Sequence, residues 1–145
     1  MSRIKARETC FKLIFEYEFL KQKNQVTLDE LLLSKDIEGD DAEYIVKIYE
    51  GIMQKDDELN EKIKSHLKNY TLERIFKIDL AILKLAIYEI DYLNEKPSIV
   101  INEAVELSKK YSTDNSYKFI NGLLATIVKG EWWNRQFRSQ QLVRI

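Results

Sequence analysis

The chain has 145 residues, 45% hydrophobic and 32% charged, with a formal net charge of −1. That is the length of one globular domain able to bury roughly 68–70% of its unfolded surface, and the composition excludes a disordered chain. Four glycines (39, 51, 122 and 130) and the single Pro97 leave few obligatory turns, which argues against a many-stranded β fold and predicts an all-α, single-domain bundle. Cys10 and His66 are each the only residue of their kind, so no internal disulfide can form and the pair cannot complete a zinc site. No apolar run reaches the roughly 18–20 residues that span a bilayer, and charges break any leader at the N-terminus. A cytoplasmic protein with no membrane contact and no cofactor is expected.

The small net charge hides a segregation. Residues 1–25 carry a balance of +3, residues 26–61 a balance of −9, and the remaining segments are each weakly positive. Such separation can give one molecule an anion-attracting face and a solvated acidic face, although ordinary surface charge produces similar sums.

In chain order, Ser2 is placed to cap a first helix running to about Leu20, with Ala6, Cys10, Leu13, Ile14 and Tyr17 inward at 3–4 spacing. Thr27 and Glu30 form a capping-box pattern that opens a short helix through Leu33, and residues 36–41, with Gly39, form a turn. A second box, Asp40 and Glu43, precedes Tyr44, Ile45, Ile48, Ile52 and Met53. A fourth helix restarts at Asp56 or Asp57 with Leu59, Ile63 and Leu67 inward. Thr71 then caps the longest helix, about 72–93, which from Ile78 onward is apolar on nearly every side and so is surrounded by other helices. Pro97 suits the first turn of a helix over 97–111, and Lys109 and Lys110 suit its C-terminal dipole. Asp114 is placed to cap a last helix that runs to about Val128 and stops at Gly130. The total is about seven helices around one core, with residues 1–129 as the domain and 130–145 as a C-terminal extension.

Catalysis lacks parts. The glycines fit neither phosphate-loop pattern, His66 reads as a helix-terminal surface residue between Lys64 and Lys68, and Cys10 falls on the inward stripe as a small core residue. No metal site is expected. Nucleic-acid binding has better parts. Arg3 and Arg7 are i,i+4 on one helix face with Lys5 beside them, and cations at a helix start oppose the dipole unless an anion is near. The terminus is either a phosphate contact or a solvated end. The segment 111–119 mixes Tyr111, Asn115, Lys118 and Phe119 around a helix N-terminus, the chemistry that binds phosphate and stacks unpaired bases; the alternative is a capped helix whose Phe119 is core.

Four segments carry a resemblance. Residues 101–109 (INEAVELSK) and 116–124 (SYKFINGLL) resemble the signature of the bacterial transcription antitermination factor NusB family. Residues 5–8 (KARE) resemble that family's R-A-R-E opening, and residues 82–89 (ILKLAIYE) its I-L-R-L-A-x-Y-E helix. Order and spacing agree across about residues 3–129. The resemblance implies a NusB-like fold, no catalysed reaction, and binding of the single-stranded boxA element of ribosomal-operon RNA jointly with the small-subunit ribosomal protein NusE. The complex then joins the elongating RNA polymerase with other Nus factors.

Carried over position by position, the resemblance implies RNA contacts at Arg3, Lys5, Arg7, Phe15, Lys84, Tyr111, Asn115, Lys118 and Phe119, and a partner-facing acid at Asp79. The chain departs from the pattern at Asn115, where the family usually has an acid, in a less arginine-rich N-terminus, and in the extension with Trp132, Trp133, Arg135, Arg138 and Arg144. Two other functions remain open on the residues: an RNA-binding domain related to that of ribosomal-RNA cytosine methyltransferases, and a helical module that binds only proteins.

Overall fold

A computed structural model of the chain describes the backbone of residues 3–68 and 71–143 and the side chains of those residues through 130. The described residues form seven α-helices and one short 3-10 turn: α1 (Ile4–Leu20), α2 (Gln25–Leu32), α3 (Gly39–Gln54), α4 (Asp56–Ser65), the turn at Leu72–Arg74, α5 (Lys77–Asp91), α6 (Pro97–Tyr111) and α7 (Ser116–Val143). The all-α expectation holds. The Ser2 cap and the side chains of residues 131–145 lie outside the described residues.

Helix α5 is the axis of the bundle. Every residue from Asp79 to Glu89 is buried, and α5 packs against α1, α3, α4, α6 and α7. The inward stripe of α1, Ala6, Cys10, Leu13 and Ile14, is fully buried against it, whereas Tyr17 is only half-buried. Burial pushes the Cys10 thiol far above its ordinary range, so this residue is an inert core side chain. Pro97 stands in the first turn of α6 as its spacing predicts.

Four local expectations are corrected. Asn24, not Thr27, caps α2: its extended backbone lets the side-chain oxygen accept the Thr27 N–H at 3.2 Å. That frees the Thr27 hydroxyl to donate to Glu16 on α1 at 2.9 Å. Helix α3 starts at Gly39, with Asp40 and Asp41 in its first turn, where they favour the dipole without a side-chain cap bond. Helix α5 starts at Lys77, not residue 72, because Ile75 and Phe76 turn extended; this buries Ile75 and leaves Phe76 at 59% exposure. Finally, α7 passes through Gly130. A glycine ends a helix when it adopts positive φ, and none of the glycines does so.

Helices α3 and α5 approach closely at Gly51. A Cβ there would lie 1.9 Å from the Tyr88 hydroxyl oxygen and 2.4 Å from its ring carbon Cζ. At Gly122 on α7 a Cβ would meet nothing within 4 Å. The same substitution should therefore have opposite signs. Gly51→Ala is expected to lower unfolding free energy by about 1–3 kcal/mol through overpacking. Gly122→Ala is expected to raise it by roughly 0.5–1 kcal/mol, the usual helix-interior gain. Urea unfolding of both variants checks this, and a common sign contradicts the close approach.

Candidate nucleic-acid interface

Phe11, Phe15 and Phe19 follow each other at i,i+4 along α1 and so share one face. Phe11 is buried, with its ring 6.1 Å from Phe15 and 5.0 Å from Tyr111 at the end of α6. Phe15 is half-buried and meets Phe19 edge-on at 5.1 Å. Phe19 is 59% exposed, as is Phe76. Phe15, Phe19, Phe76, Tyr111 and Ile78 line an open cleft of about 560 Å³, edged by Lys77, Ser112 and Thr113. The Lys77 ammonium lies 5.4 Å from the Phe19 ring centre. An exposed aromatic patch of this kind marks a binding surface, and flat rings beside cations suit unpaired bases.

The turn between α6 and α7 forms one wall, and Asp79 shapes it. One Asp79 oxygen accepts the Ser112 hydroxyl at 2.6 Å and the other the Ser116 hydroxyl at 3.0 Å; Thr113 lies 2.7 Å from Ser116. Asp79 is 3% exposed. The expectation of a partner-facing acid is corrected accordingly: Asp79 does not face outward, and both carboxylate oxygens are committed to hydroxyls inside the protein.

Two of the expected RNA contacts are also internal. Lys84 has no exposed surface; its ammonium lies 2.6 Å from Glu18 on α1 and 2.5 Å from Asp56 on α4. A lysine enclosed by two carboxylates cannot reach a phosphate. Arg7 retains 11% exposure, and its Nε donates to both Glu89 oxygens at 3.0 and 3.3 Å. Burial pushes the Glu89 carboxyl above its usual range even with Arg7 beside it. Arg7 is thus the counter-ion of a buried acid, not a free cation.

The other candidates reach the surface. Arg3 is exposed and stacks on the Tyr44 ring at 3.9 Å, and Lys5 is exposed on the same turn of α1. Asn115 and Lys118 are exposed at the start of α7. Lys118 and Lys109 flank the Tyr117 ring at 5.9 and 5.2 Å, which gathers cations beside the turn. Phe119 is half-buried and packs on the core. The cleft thus brings together Phe15 and Tyr111, with Asn115 and Lys118 adjoining along the chain, while Arg3 lies against α3. Sequence reasoning misses Phe19, Phe76 and Lys77. The i,i+4 step from Phe15 is the signal that finds Phe19; Phe76 lies in the extended link before α5, where no periodicity reports it.

Among the described residues no group of three or more His, Cys, Asp or Glu side chains could hold a metal ion. None of their helices is long and apolar enough to cross a membrane.

The sequence pattern of the NusB family matches residues 4–129. The chain is similar to the transcription antitermination protein NusB of Acetivibrio thermocellus, 40% identical over 130 residues, which cover 89% of this chain and 90% of that protein. It is similar to that of Clostridium novyi, 40% identical over 132 residues that cover 89% and 99%. Its fold is similar to that of T. maritima NusB, with a TM-score of 0.81 and 30% identity over 89% of this chain and 92% of that one. It is also similar to a chain in the crystal structure of antitermination factors NusB and NusE in complex with dsRNA, with a TM-score of 0.79 and 28% identity over 88% and 96%.

Removing the Arg7 guanidinium leaves Glu89 buried without its counter-ion, and Arg7→Ala is expected to lose roughly 3–5 kcal/mol of stability at neutral pH. A carboxyl whose folded pKa lies above its unfolded value stabilises the fold in its protonated form. That contribution is fully present below the unfolded value and is lost as pH rises through the folded one. The loss in Arg7→Ala should therefore shrink as pH falls through the raised Glu89 range, above the ordinary 4.5. Unfolding at several pH values measures this; a pH-independent loss contradicts the assignment.

Proposed function

The chain belongs to the NusB family of transcription antitermination factors and is not an enzyme, and on that premise we propose that it binds the single-stranded boxA element of ribosomal-operon RNA together with NusE. The observation that carries this reading is the aromatic cleft edged by Lys77. Phe15 and Tyr111 offer ring faces, Lys77 borders them, and Ser112 and Thr113 lead into the exposed Asn115 and Lys118. Rings stack on bases without regard to sequence, an amide reads a base edge, and lysines neutralise phosphates. Arg3 and Lys5 extend the positive surface along α1, and the half-buried Phe119 adjoins Lys118 in the first turn of α7.

The apolar end of the cleft, Phe19 and Phe76, suits a protein better than a polynucleotide, and we assign it to NusE. Two adjoining contacts on one surface let NusE raise the effective concentration of the RNA, so the pair binds more tightly than either alone. The bound complex then joins the elongating RNA polymerase in the cytoplasm. The crystal structure of NusB and NusE in complex with dsRNA supports this choice of partners for a related protein. The domain is residues 1–129, and the extension 130–145 is an addition outside the family pattern.

Titration of boxA RNA and a scrambled RNA, with and without NusE and over a range of salt, tests the proposal. NusE should tighten boxA binding more than scrambled binding. The Lys77→Ala/Lys118→Ala double variant should flatten the slope of log K against log salt by about 0.7 for each phosphate that is no longer neutralised. Equal affinity with and without NusE, together with an unchanged slope in the double variant, overturns both the partner and the surface.

A further inference from the structure

Glu8 is an acid placed among the groups proposed to meet RNA. It lies on α1, with Arg7 before it and Phe11 and Lys12 one turn on. Its side chain is 12% exposed, and its two oxygens serve different residues of α6. One accepts the Tyr111 phenol O–H at 2.6 Å and the other accepts the Lys110 ammonium at 2.9 Å, while Lys12 stands 3.8 Å away. Burial pushes the Glu8 carboxyl up, but the bonds from Tyr111 and Lys110 outweigh it and hold it below its ordinary range, so the group is an anion at neutral pH.

An anion beside phosphates is repelled by them, and only local neutralisation makes the position tolerable. Lys110 and Lys12 supply that neutralisation. What the carboxylate then adds is direction. Tyr111 is the last residue of α6, and its ring has three contacts: the Phe11 ring at 5.0 Å, the Lys110 ammonium 5.3 Å from the ring centre and the phenol bond to Glu8. With these in place the ring stays in the lining of the cleft. A ring already set in its bound orientation loses less freedom when a base stacks on it.

We infer that Glu8 is the positioning residue of the RNA surface: by accepting the Tyr111 phenol it sets the plane of the stacking ring. This rests on the proposal that Tyr111 contacts RNA. The test uses the full chain with NusE and a boxA-bearing RNA as probe, with urea unfolding of each variant in parallel.

Glu8→Ala should weaken RNA binding by about threefold to tenfold, the scale of one hydrogen bond's net effect. Glu8→Gln, whose amide oxygen still accepts the phenol, should recover most of that loss. In a Tyr111→Phe background, where no phenol remains to orient, Glu8→Ala should change affinity by less than about twofold further. If Glu8→Ala does not fold, Tyr111→Phe reads the same bond from its other end: a loss of about threefold to tenfold with the ring retained supports the inference, and no loss overturns it.

A lowered unfolding midpoint with unchanged RNA affinity in Glu8→Ala makes Glu8 a purely structural tie and overturns the inference. So do additive effects of Glu8→Ala and Tyr111→Phe. Tyr111→Ala separates the two levels. If it weakens binding while Glu8→Ala does not, only the positioning role falls; if it leaves binding unchanged, the RNA contact at Tyr111 falls and the inference with it.

Discussion

Three buried charged side chains on the central helix govern the arrangement. Asp79, Lys84 and Glu89 are all buried on α5. Each charge removed from water carries an effective penalty of several kcal/mol, which only close, well-aligned partners offset. The partners come from different elements. Lys84 takes Glu18 of α1 and Asp56 of α4, Glu89 takes Arg7 of α1, and Asp79 takes Ser112 and Ser116 on either side of the α6–α7 turn. Apolar side chains tolerate a slide of one helix along another, whereas a buried ion pair does not. The charges on α5 therefore set the register of its neighbours.

That register builds the interface. Helix α1 is pinned to α5 at Arg7 and again at Glu18, roughly 16 Å apart along the helix axis. Between the pins the face carrying Phe11 and Phe15 is turned toward the end of α6, where Tyr111 meets it. Asp79 holds the α6–α7 turn beside the same rings. The cleft is the space these attachments leave open, and its aromatic lining is exposed because none of the described helices covers it.

Much of the fold is legible in the sequence because its signals are local. The inward stripe of α1, the acidic first turn of α4, Pro97 at the start of α6 and the apolar run on α5 all report their surroundings directly. The break at Ile75 and Phe76 is not legible, since burial of Ile75 depends on elements distant in sequence. The extent of α7 is missed because a glycine is a stop only when its backbone turns left-handed. The site divides in the same way. Tyr111, Asn115 and Lys118 stand at the surface as the make-up of segment 111–119 suggests, and Phe15 is half-buried beside them as the resemblance implies. Arg7, Lys84 and Asp79 do not, because a residue type that contacts phosphate or a partner is the same type that neutralises a buried charge. The deciding variable is a partner 82, 66 or 33 residues away, and composition and periodicity carry no trace of it.

Lys84→Met, which retains the length of the side chain and removes the charge, tests most directly whether Lys84 is a buried tie of the bundle and not an RNA contact. Unfolding free energy and boxA affinity are measured on the same preparation. The expected result is a stability loss of roughly 3–5 kcal/mol, because Glu18 and Asp56 lose the buried cation between them and Glu18 keeps only the exposed Lys21 at 3.1 Å, with RNA affinity of the folded protein unchanged. A tenfold loss of RNA affinity at unchanged stability contradicts it, and returns Lys84 to the RNA surface.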